Sequence, residues 1–268
     1  MSQLKFVTNE PAIVFCRTLF IADLHIGIEN EYRVSGLNIP SQTEKILSRI
    51  ESLLKKSRAK NLVLIGDIKH RVPGTSWQEE KEIPVFLSRL SEKADINIVP
   101  GNHDGGIAEF LPKGVKIYDM EGFLFGDVYA CHGHAWPERS FLDAKYLLIS
   151  HSHPQIEFKD SLGYRWGERV WVRTNLNPKI ISEKYKITKL PKPLPELIIM
   201  PAFNPLCGGI PVNKKIEENK DAVQERQISP LINSAFMSKA RIYMLDGTYL
   251  GELRKLKNQG ITSPSQKT

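Results

Sequence analysis

The tetrapeptide Gly101-Asn102-His103-Asp104 directly follows the run Ile96-Asn97-Ile98-Val99-Pro100. The apolar residues predict a short buried strand, and the Pro-Gly pair predicts a tight turn at its end. The turn presents an amide, an imidazole and a carboxylate together. Because ligands of open α/β sheets bind at the carboxyl ends of strands, this turn is a candidate site. Taken alone, the motif is equally consistent with a polar turn.

An apolar run that ends in Asp, Asn or His occurs five times before residue 154. Alternate residues of an extended chain share a face, so the two ends of Asp-x-His or His-x-His can face one object. Five of the seven histidines directly follow such runs, which indicates a metal site. The other four runs are residues 18–22 before Asp23-Leu24-His25, 61–65 before Gly66-Asp67, 128–131 before His132-Gly133-His134, and 146–149 before Ser150-His151-Ser152-His153.

A helix is predicted between the first two of these strands. Ser41 and Glu44 form a capping-box pattern, and the apolar residues after them follow the helical period. Strands joined through a helix are parallel, which places Asp67 at the same sheet edge as the Asp-x-His motif. His70 and Arg71, just beyond, are equally consistent with substrate contact and with a surface loop.

The middle of the chain predicts one helix and several strands. Residues 77–94 are predicted to be helical, with Pro84 either in the first turns or dividing the helix. Three short apolar runs follow, and their tight spacing favours antiparallel pairing: residues 115–118, 123–125 and 128–131.

The C-terminal third predicts further β structure. Residues 169–172 and 186–188 predict strands, and residues 241–253 predict a hairpin in which Asp246-Gly247 favours a type I′ turn. Asn204 either lies near the site or caps a turn, and the second is favoured. We expect a main domain at residues 1–210, a polar linker at 211–230 and a C-terminal β-hairpin extension at 231–268 packed on the domain, with 257–268 frayed.

Composition indicates a soluble globular protein of 268 residues, 41% hydrophobic and 25% charged. No apolar run approaches the length of a membrane span, and the first ten residues lack the apolar segment of a signal peptide. The three cysteines are widely spaced and form neither a zinc nor a disulfide pattern. We therefore expect a cytoplasmic protein without a membrane partner.

The net charge of +7 is unevenly distributed. Residues 1–160 carry 19 Lys and Arg against 21 Asp and Glu, whereas residues 161–268 carry 18 against 9. The basic part fits a solvated lysine-rich surface, which is favoured, or a polyanion-binding footprint. Within it, Arg169 and Arg173 share a strand face with Trp171, either as a phosphate-and-stacking surface or, slightly favoured, as a packed face.

The candidate ligands are carboxylate, amide and imidazole groups without a thiolate. This set suits Mn²⁺, Fe or Zn²⁺ better than Ca²⁺. Seven ligands are too many for one tetrahedral zinc and suit two metals that share a carboxylate. We expect two divalent ions, Mn foremost, with Fe, Zn, Ni or Co as alternatives. The seven candidates are Asp23, His25, Asp67, Asn102, His132, His151 and His153.

The order of the motifs, Asp-x-His, Gly-Asp, Gly-Asn-His-Asp, His-Gly-His and His-x-His, closely resembles the calcineurin-like metallophosphoesterase superfamily over roughly residues 18–154. The resemblance implies an α/β fold, a four-layer αββα sandwich of two mixed β-sheets flanked by helices. It also implies that His103 is catalytic without binding metal and that Asp104 helps to orient it. Ser150 stands where a glycine usually precedes the last motif, and we expect a local adjustment there.

The resemblance further implies a division of the ligands between two metals. Asp67 would bridge them. The remaining ligands would divide into Asp23, His25 and His153 on one metal and Asn102, His132 and His151 on the other.

A narrower resemblance is to archaeal phosphoesterases related to the SbcD nuclease and to bacterial DNA-ligase-associated phosphoesterases. It extends to about residue 210 and leaves the substrate open. It rests on Asp23-Leu24-His25-Ile26-Gly27, the loop between Gly36 and Pro40, and Met200-Pro201-Ala202-Phe203-Asn204 followed by Gly208-Gly209.

These observations predict metal-dependent hydrolysis of a phosphodiester. DNA or RNA is the favoured substrate because of the basic C-terminal part, and His103, as imidazolium, would donate a proton to the leaving oxygen. The alternative is a small-molecule phosphatase or a nucleotide or cyclic-nucleotide phosphodiesterase. A non-catalytic scaffold of the same fold is less expected, because every ligand position is matched.

Overall fold

Two β-sheets, each covered by helices, make up the computed structural model, which describes residues 3–214 and 229–256. Most of the predicted linker and all of the predicted frayed tail lie outside these residues. The first sheet has the strand order β1 to β6, and its strands from β3 onward are parallel. Its members are β1 Lys5–Phe6, β2 Ile13–Phe15, β3 Thr18–Ala22, β4 Asn61–Ile65, β5 Asp95–Val99 and β6 Lys116–Ile117.

The second sheet is mixed, with the order β13-β10-β11-β12-β9-β8-β7 and the β14–β15 hairpin paired to β11. The pairs β8–β9 and β9–β12 are parallel. The strand β11 pairs antiparallel with each of its three neighbours, β10, β12 and β14. Its members are β7 Phe123–Phe125, β8 Val128–Ala130, β9 Tyr146–Ile149, β10 Pro154–Lys159, β11 Arg165–Asn175, β12 Glu196–Ile199, β13 Ile210–Pro211, β14 Arg241–Met244 and β15 Tyr249–Glu252.

Helices cover the outer face of both sheets. Against the first sheet, α2 and α3 bury one apolar side each. Residues of α4, α5 and α6 enter the core outside the second sheet. The helices are α1 Glu29–Val34, α2 Thr43–Ser57, α3 Trp77–Ser91, α4 Pro178–Tyr185, α5 Pro230–Asn233 and α6 Leu253–Leu256. Among the described residues, no helix is long and apolar enough to cross a membrane.

Alternating side chains of β3 enter two different cores. Leu19 and Ile21 pack with the apolar residues of α2 and α3, whereas Phe20 faces the second sheet. Trp171 of β11 lies in that same core between the sheets, 4.9 Å from the ring of Phe6. This alternation produces the predicted four-layer sandwich, which the structure confirms.

The structure corrects the predicted start of α2. Its N-cap residue is Gln42, without a side-chain cap, and the hydroxyl of Ser41 donates to Glu82 at 2.9 Å. A capping box of the predicted kind occurs instead at Ser76 and Glu79, at the start of α3. The predicted box at Ser41 does not form because the helix begins one residue later: the Ser41 oxygen accepts from the amide of Thr43 at 3.2 Å, and the carboxylate of Glu44 pairs with Arg89 of α3.

Other strand predictions also change. Residues 186–188 form no strand, because Lys186 ends α4 in a left-handed conformation. The run at 115–118 pairs parallel to β5 rather than antiparallel to β7. Pro84 lies well inside α3, which continues on both sides of it.

The C-terminal hairpin forms as predicted, but its turn is longer. The amide of Gly247 donates to the carbonyl of Met244, and the amide of Met244 donates to Thr248. Gly247 has φ of +94°, whereas Asp246 is not left-handed, so the turn is not type I′.

Removing the indole of Trp171 is expected to destabilise the sandwich. The residue is 2% exposed, and a large-to-small change at such a position costs about 3–5 kcal/mol. Urea denaturation of Trp171→Ala measures this loss. In the matched control Trp77→Ala, at a residue 70% exposed, the free energy of unfolding should change by about 0.5 kcal/mol or less. Equal losses would contradict the inter-sheet position of Trp171.

Candidate metal centre

The predicted site residues follow strands whose carboxyl ends meet. In the first sheet, β3, β4 and β5 are adjacent and parallel, and they lead into Asp23, Asp67 and Asn102. In the second sheet, β8 and β9 are parallel and lead into His132 and His151. The two sheets face each other, so both groups of loops lie at one end of the sandwich.

The backbone at these strand ends is unusual. Five of the seven predicted ligands have a left-handed φ, which costs a non-glycine residue energy and persists only where the surroundings hold it. Such strain concentrates at functional sites. The five are Asp23 at +55°, His25 at +41°, Asp67 at +49°, His151 at +68° and His153 at +41°.

Two glycines allow the ligands to approach one another. A β-carbon on Gly66 would overlap the ring of His132, and one on Gly101 would overlap the carboxylate of Asp67. The glycines of the Gly-Asp and Gly-Asn-His-Asp motifs are therefore required by packing within the site.

A first group of donor atoms lies where the His-x-His loop meets the Asp-x-His loop. The Nε2 atoms of His25 and His153 are 3.3 Å apart, and that of His25 is 3.5 Å from Asp67 Oδ2. The Nε2 of His153 is 3.5 Å from Asp23 Oδ1. One ligand atom from each of these four residues lies within 4.8 Å of the others.

A second group shares Asp67 with the first. Its Oδ2 is 3.2 Å from Nε2 of His132, which is 3.1 Å from Oδ1 of Asn102. His151 completes the group, with its ring centroid 5.0 Å from that of His132. The structure thus brings all seven predicted ligands together in two groups joined at one carboxylate.

Outer hydrogen bonds fix which nitrogen of each histidine faces the centre. His70 Nε2 donates to Glu31 at 2.7 Å, so its Nδ1 accepts from His25 Nδ1 at 3.1 Å. His153 Nδ1 donates to the carbonyl of Gly208 at 3.0 Å. In the neutral state, the Nε2 atoms of His25 and His153 therefore direct two lone pairs at each other.

Converging lone pairs and carboxylates require a positive charge between them. Both oxygens of Asp23 are buried and accept no hydrogen bond from the described residues, an arrangement that is costly unless a cation compensates it. Ligand atoms about 2.0–2.2 Å from one metal are about 2.8–3.6 Å apart, and the spacings within both groups agree. The residues present therefore fit divalent cations.

The electrostatics of the histidines agree with this reading. Burial lowers the pKa of His25 to about 3, so the imidazole is neutral and able to bind metal. At His132, burial acts in the same direction, but the carboxylates of Asp67 and Asp23 outweigh it and raise the pKa to about 9. A divalent cation that binds His132 must therefore displace a proton from its imidazole.

His103 lies beside the first group without entering the close donor contacts. Its amide donates to Asp67 Oδ1 at 2.9 Å, and its Nδ1 donates to the carbonyl of His70. Its ring centroid is 4.9 Å from that of His25. Because Nδ1 is occupied, Nε2 is the nitrogen that remains for a substrate.

Asp104 acts on the backbone and makes no hydrogen bond to the His103 ring. One oxygen accepts from the amides of Ile68 and Lys69 at 2.8 and 3.2 Å, and the other accepts from Gly101 at 2.8 Å. Burial and the charge of Asp67 raise its pKa to about 6, while these amides act in the opposite direction. Asp104 thus ties two site loops together through their backbone amides.

Ser150, which departs from the usual glycine, contacts a predicted ligand directly. Its buried hydroxyl donates to the carbonyl of Ile65 at 3.1 Å and accepts from His132 Nδ1 at 2.9 Å. The contact leaves Nε2 of His132 facing Asp67. The serine therefore supports the metal centre, and only its position before the motif signalled this in the sequence.

Other residues beside the site had an open role in the sequence analysis or were not predicted at all. His70 Nδ1 lies 3.1 Å from Nδ1 of His25, and the buried Nδ2 of Asn204 donates to the Leu24 carbonyl at 2.8 Å. The thiol of Cys207 lies near His25 and His153, and burial raises its pKa well above the usual value. No motif pointed to this cysteine.

Arg169 and Arg173 do not form the phosphate-and-stacking surface that was the alternative for this strand face. Arg169 donates to the carbonyls of Ala202 and Phe203 at 3.1 and 3.3 Å, and Arg173 forms a bidentate pair with Glu196. Trp171 is buried between the sheets. The packed reading, which the sequence slightly favoured, is correct.

Comparison with known proteins establishes the family. A family model described as calcineurin-like phosphoesterase matches residues 16–183, so the chain belongs to that family. It is a metal-dependent phosphoester hydrolase, and the family uses divalent metal ions. No curated protein matched the chain.

Two solved structures are similar to this chain. The nuclease MPE of Pseudomonas putida has a TM-score of 0.52 at 17% identity, covering 91% of this chain and 96% of the other. Yfce, a phosphoesterase from E. coli, has a TM-score of 0.35 at 20% identity, covering 54% and 74%. At these identities, the first similarity concerns the fold.

Ser150→Ala is expected to weaken metal binding. It removes the acceptor of His132 Nδ1, and losing such an outer contact typically costs about 10–100-fold in affinity. Calorimetric titration with Mn²⁺ measures the change. Ser91→Ala, on an exposed part of α3, is the matched control and should bind Mn²⁺ as the parent does. Unchanged affinity in Ser150→Ala would remove the serine from the site.

Proposed function

We propose that this protein is a dinuclear phosphodiesterase whose substrates include nucleic acid, as in SbcD-related nucleases. The observation that carries the proposal is the position of Asp67. Its Oδ2 lies 3.5 Å from His25 and 3.2 Å from His132, one histidine from each donor group. A carboxylate placed in this way suits a ligand shared by two cations.

The residues present assign the ligands as follows. When bound, divalent cations supply Lewis acidity to the phosphoryl oxygens and activate a water nucleophile. The donors are nitrogen and oxygen, which favours Mn²⁺. Asp67 would be shared between a first site on Asp23, His25 and His153 and a second on Asn102, His132 and His151.

His103 is proposed as the proton donor to the leaving oxygen. Its Nδ1 is held by the His70 carbonyl, which fixes the ring and directs Nε2 away from that contact. Asp104 positions it by tying the turn at Gly101 to the amides of Ile68 and Lys69. The acid is thereby held on a turn with little freedom to move.

Two further observations support a nucleic-acid substrate. The solved neighbour with 96% of its chain covered is described as a nuclease. The features of the narrower resemblance also lie in the site: Asn204 holds the Leu24 carbonyl, and Gly208 accepts from His153.

The free cysteines of the described chain fit a reducing cytoplasm.

The rival substrate class is a small phosphoester, including nucleotides and cyclic nucleotides. A panel separates the two classes, with single- and double-stranded DNA, RNA, cyclic nucleotides, phosphomonoesters and bis-p-nitrophenyl phosphate, each with Mn²⁺. Turnover of bis-p-nitrophenyl phosphate and of polynucleotides is expected. No turnover of any diester with any divalent metal would overturn the proposal.

Asp67→Asn is expected to abolish activity and to reduce metal content to about one ion per chain. The amide oxygen carries no charge to share between two cations. Metal analysis by mass spectrometry and hydrolysis of bis-p-nitrophenyl phosphate test this, with the exposed Asp119→Asn as control. Two metals with full activity in Asp67→Asn would refute the bridging role.

His103→Ala is expected to retain the metals and lose rate. An acid contributes about 10²–10⁴-fold when the leaving oxygen is poor, and less when that oxygen is already a stable anion. The loss should therefore be larger for a methyl than for a p-nitrophenyl diester. A fall in metal content would instead identify His103 as a ligand.

A further inference from the structure

A groove of about 540 Å³ opens between α1 and the start of α3. Its size is that of a site for a small ligand or a segment of a larger one. The lining residues that matter here are Arg33 and Val34 of α1, Arg71 of the loop between β4 and α3, and Ser76, Trp77 and Gln78 at the start of α3.

The groove carries unused positive charge. Arg71 makes no side-chain hydrogen bond or ion pair within the described residues, and Arg33 contacts only Asn30, at 3.3 Å. The backbone amides of Trp77 and Gln78 lie at the positive end of a 15-residue helix. One acid, Glu82, lines the groove, and its Oε2 already accepts from Ser41, Thr43 and Gln78.

Trp77 gives the groove an aromatic surface. The residue is 70% exposed, and Lys81 Nζ lies 3.9 Å from the ring centroid. Lys81 covers one face of the indole and leaves the opposite face for another planar group. An exposed indole beside two guanidinium groups that make no ion pair within the described residues is the combination that binds unstacked bases and their phosphates.

The loop that carries Arg71 is fixed in place. Glu79 Oε1 accepts from the amides of His70 and Arg71, both at 2.7 Å. The buried Lys69 donates to the carbonyls of Arg71 and Gly74 at 2.7 and 2.8 Å. The backbone is therefore preorganised, while the guanidinium remains unpaired.

The groove adjoins the metal centre through His70 and Glu31. His70, next to Arg71 in the chain, contacts His25 at 3.1 Å, and its other nitrogen contacts Glu31 of α1. Asn30, next to Glu31 on α1, and Arg33, two residues beyond it, line the groove. A single strand of nucleic acid with one phosphodiester at the metal centre can thus place its next nucleotides in the groove.

We infer that this groove binds single-stranded nucleic acid, with phosphates on Arg33 and Arg71 and a base stacked on Trp77. The inference rests on the proposed function and assigns the substrate contacts of that same centre. A single strand is required, because the bases of a duplex are stacked on one another and unavailable to the indole.

A second basic cleft provides the control. Arg17, Lys55, Arg58, Lys60 and Lys93 line a cleft of about 630 Å³ together with Glu51. These residues lie near the amino ends of β3, β4 and β5, at the opposite end of the sheet from the metal centre. The cleft has no aromatic lining residue, so it offers charge without stacking.

The test compares a fluorescein-labelled single strand of about 12 thymidines with bis-p-nitrophenyl phosphate, using the full chain. Binding is measured by anisotropy in EDTA, and hydrolysis with Mn²⁺. The variants are Trp77→Ala, Trp77→Phe, Arg33→Ala with Arg71→Ala, and, as the charge-matched control, Lys55→Ala with Lys93→Ala.

Trp77→Ala is expected to weaken strand binding about 5- to 100-fold and to lower kcat/KM for the strand relative to the small diester. Trp77→Phe should restore most of the loss, because phenylalanine still stacks. The double arginine variant should reduce the slope of log K against log salt by about 0.7 per lost phosphate contact. The control variant should keep the parental slope.

Four outcomes overturn the inference. Unchanged strand affinity in Trp77→Ala would remove the stacking contact, and an equal loss in the control would indicate a general positive field. A parent that is dimeric in sedimentation and becomes monomeric in Trp77→Ala would make the groove a self-association surface. Hydrolysis of the small diester without any strand binding refutes the groove alone, whereas no diester hydrolysis refutes the proposed function.

Discussion

The site depends on placing the Asp67 carboxylate between imidazoles, out of contact with water. An isolated buried carboxylate is costly, so its surroundings must supply compensation. The amide of His103 donates to one oxygen, and two histidines face the other. The close approach requires Gly101, because a β-carbon there would overlap the carboxylate. Packing around Asp67 at this end of the sandwich therefore requires a compensating positive charge beside the carboxylate.

The inner histidines are oriented by groups that are far away in sequence. His70 with Glu31, the hydroxyl of Ser150 and the carbonyl of Gly208 each take one ring nitrogen. The opposite nitrogens then converge. Both sheets and several loops contribute, which explains why the centre tolerates left-handed backbone at most of its ligands. Without these outer contacts, the ligand residues would relax to the backbone conformations with negative φ that non-glycine residues prefer.

Much of this arrangement could be predicted from the sequence. Short apolar runs ending in polar residues define buried strands and their functional edge, and parallel order follows from the helix between two strands. Contacts between distant residues could not be predicted in the same way. The predicted box at Ser41 fails because Glu44, its other half, pairs with Arg89 of another helix, and Ser150 helps the site because His132 lies beside it. The burial of Trp171 depended likewise on the other sheet, whose Phe6 packs against the indole.

The contact between Asn204 and the Leu24 carbonyl spans 180 positions of the chain. A nascent polypeptide leaves the ribosome N-terminus first. Leu24 is therefore exposed long before Asn204, its partner, has been synthesised. Gly208, which accepts from His153, emerges later still. A nascent chain that ends after the His-x-His motif already holds every donor, but it lacks these two attachments. The full set of contacts around the centre can therefore form only after residue 208 has left the exit tunnel.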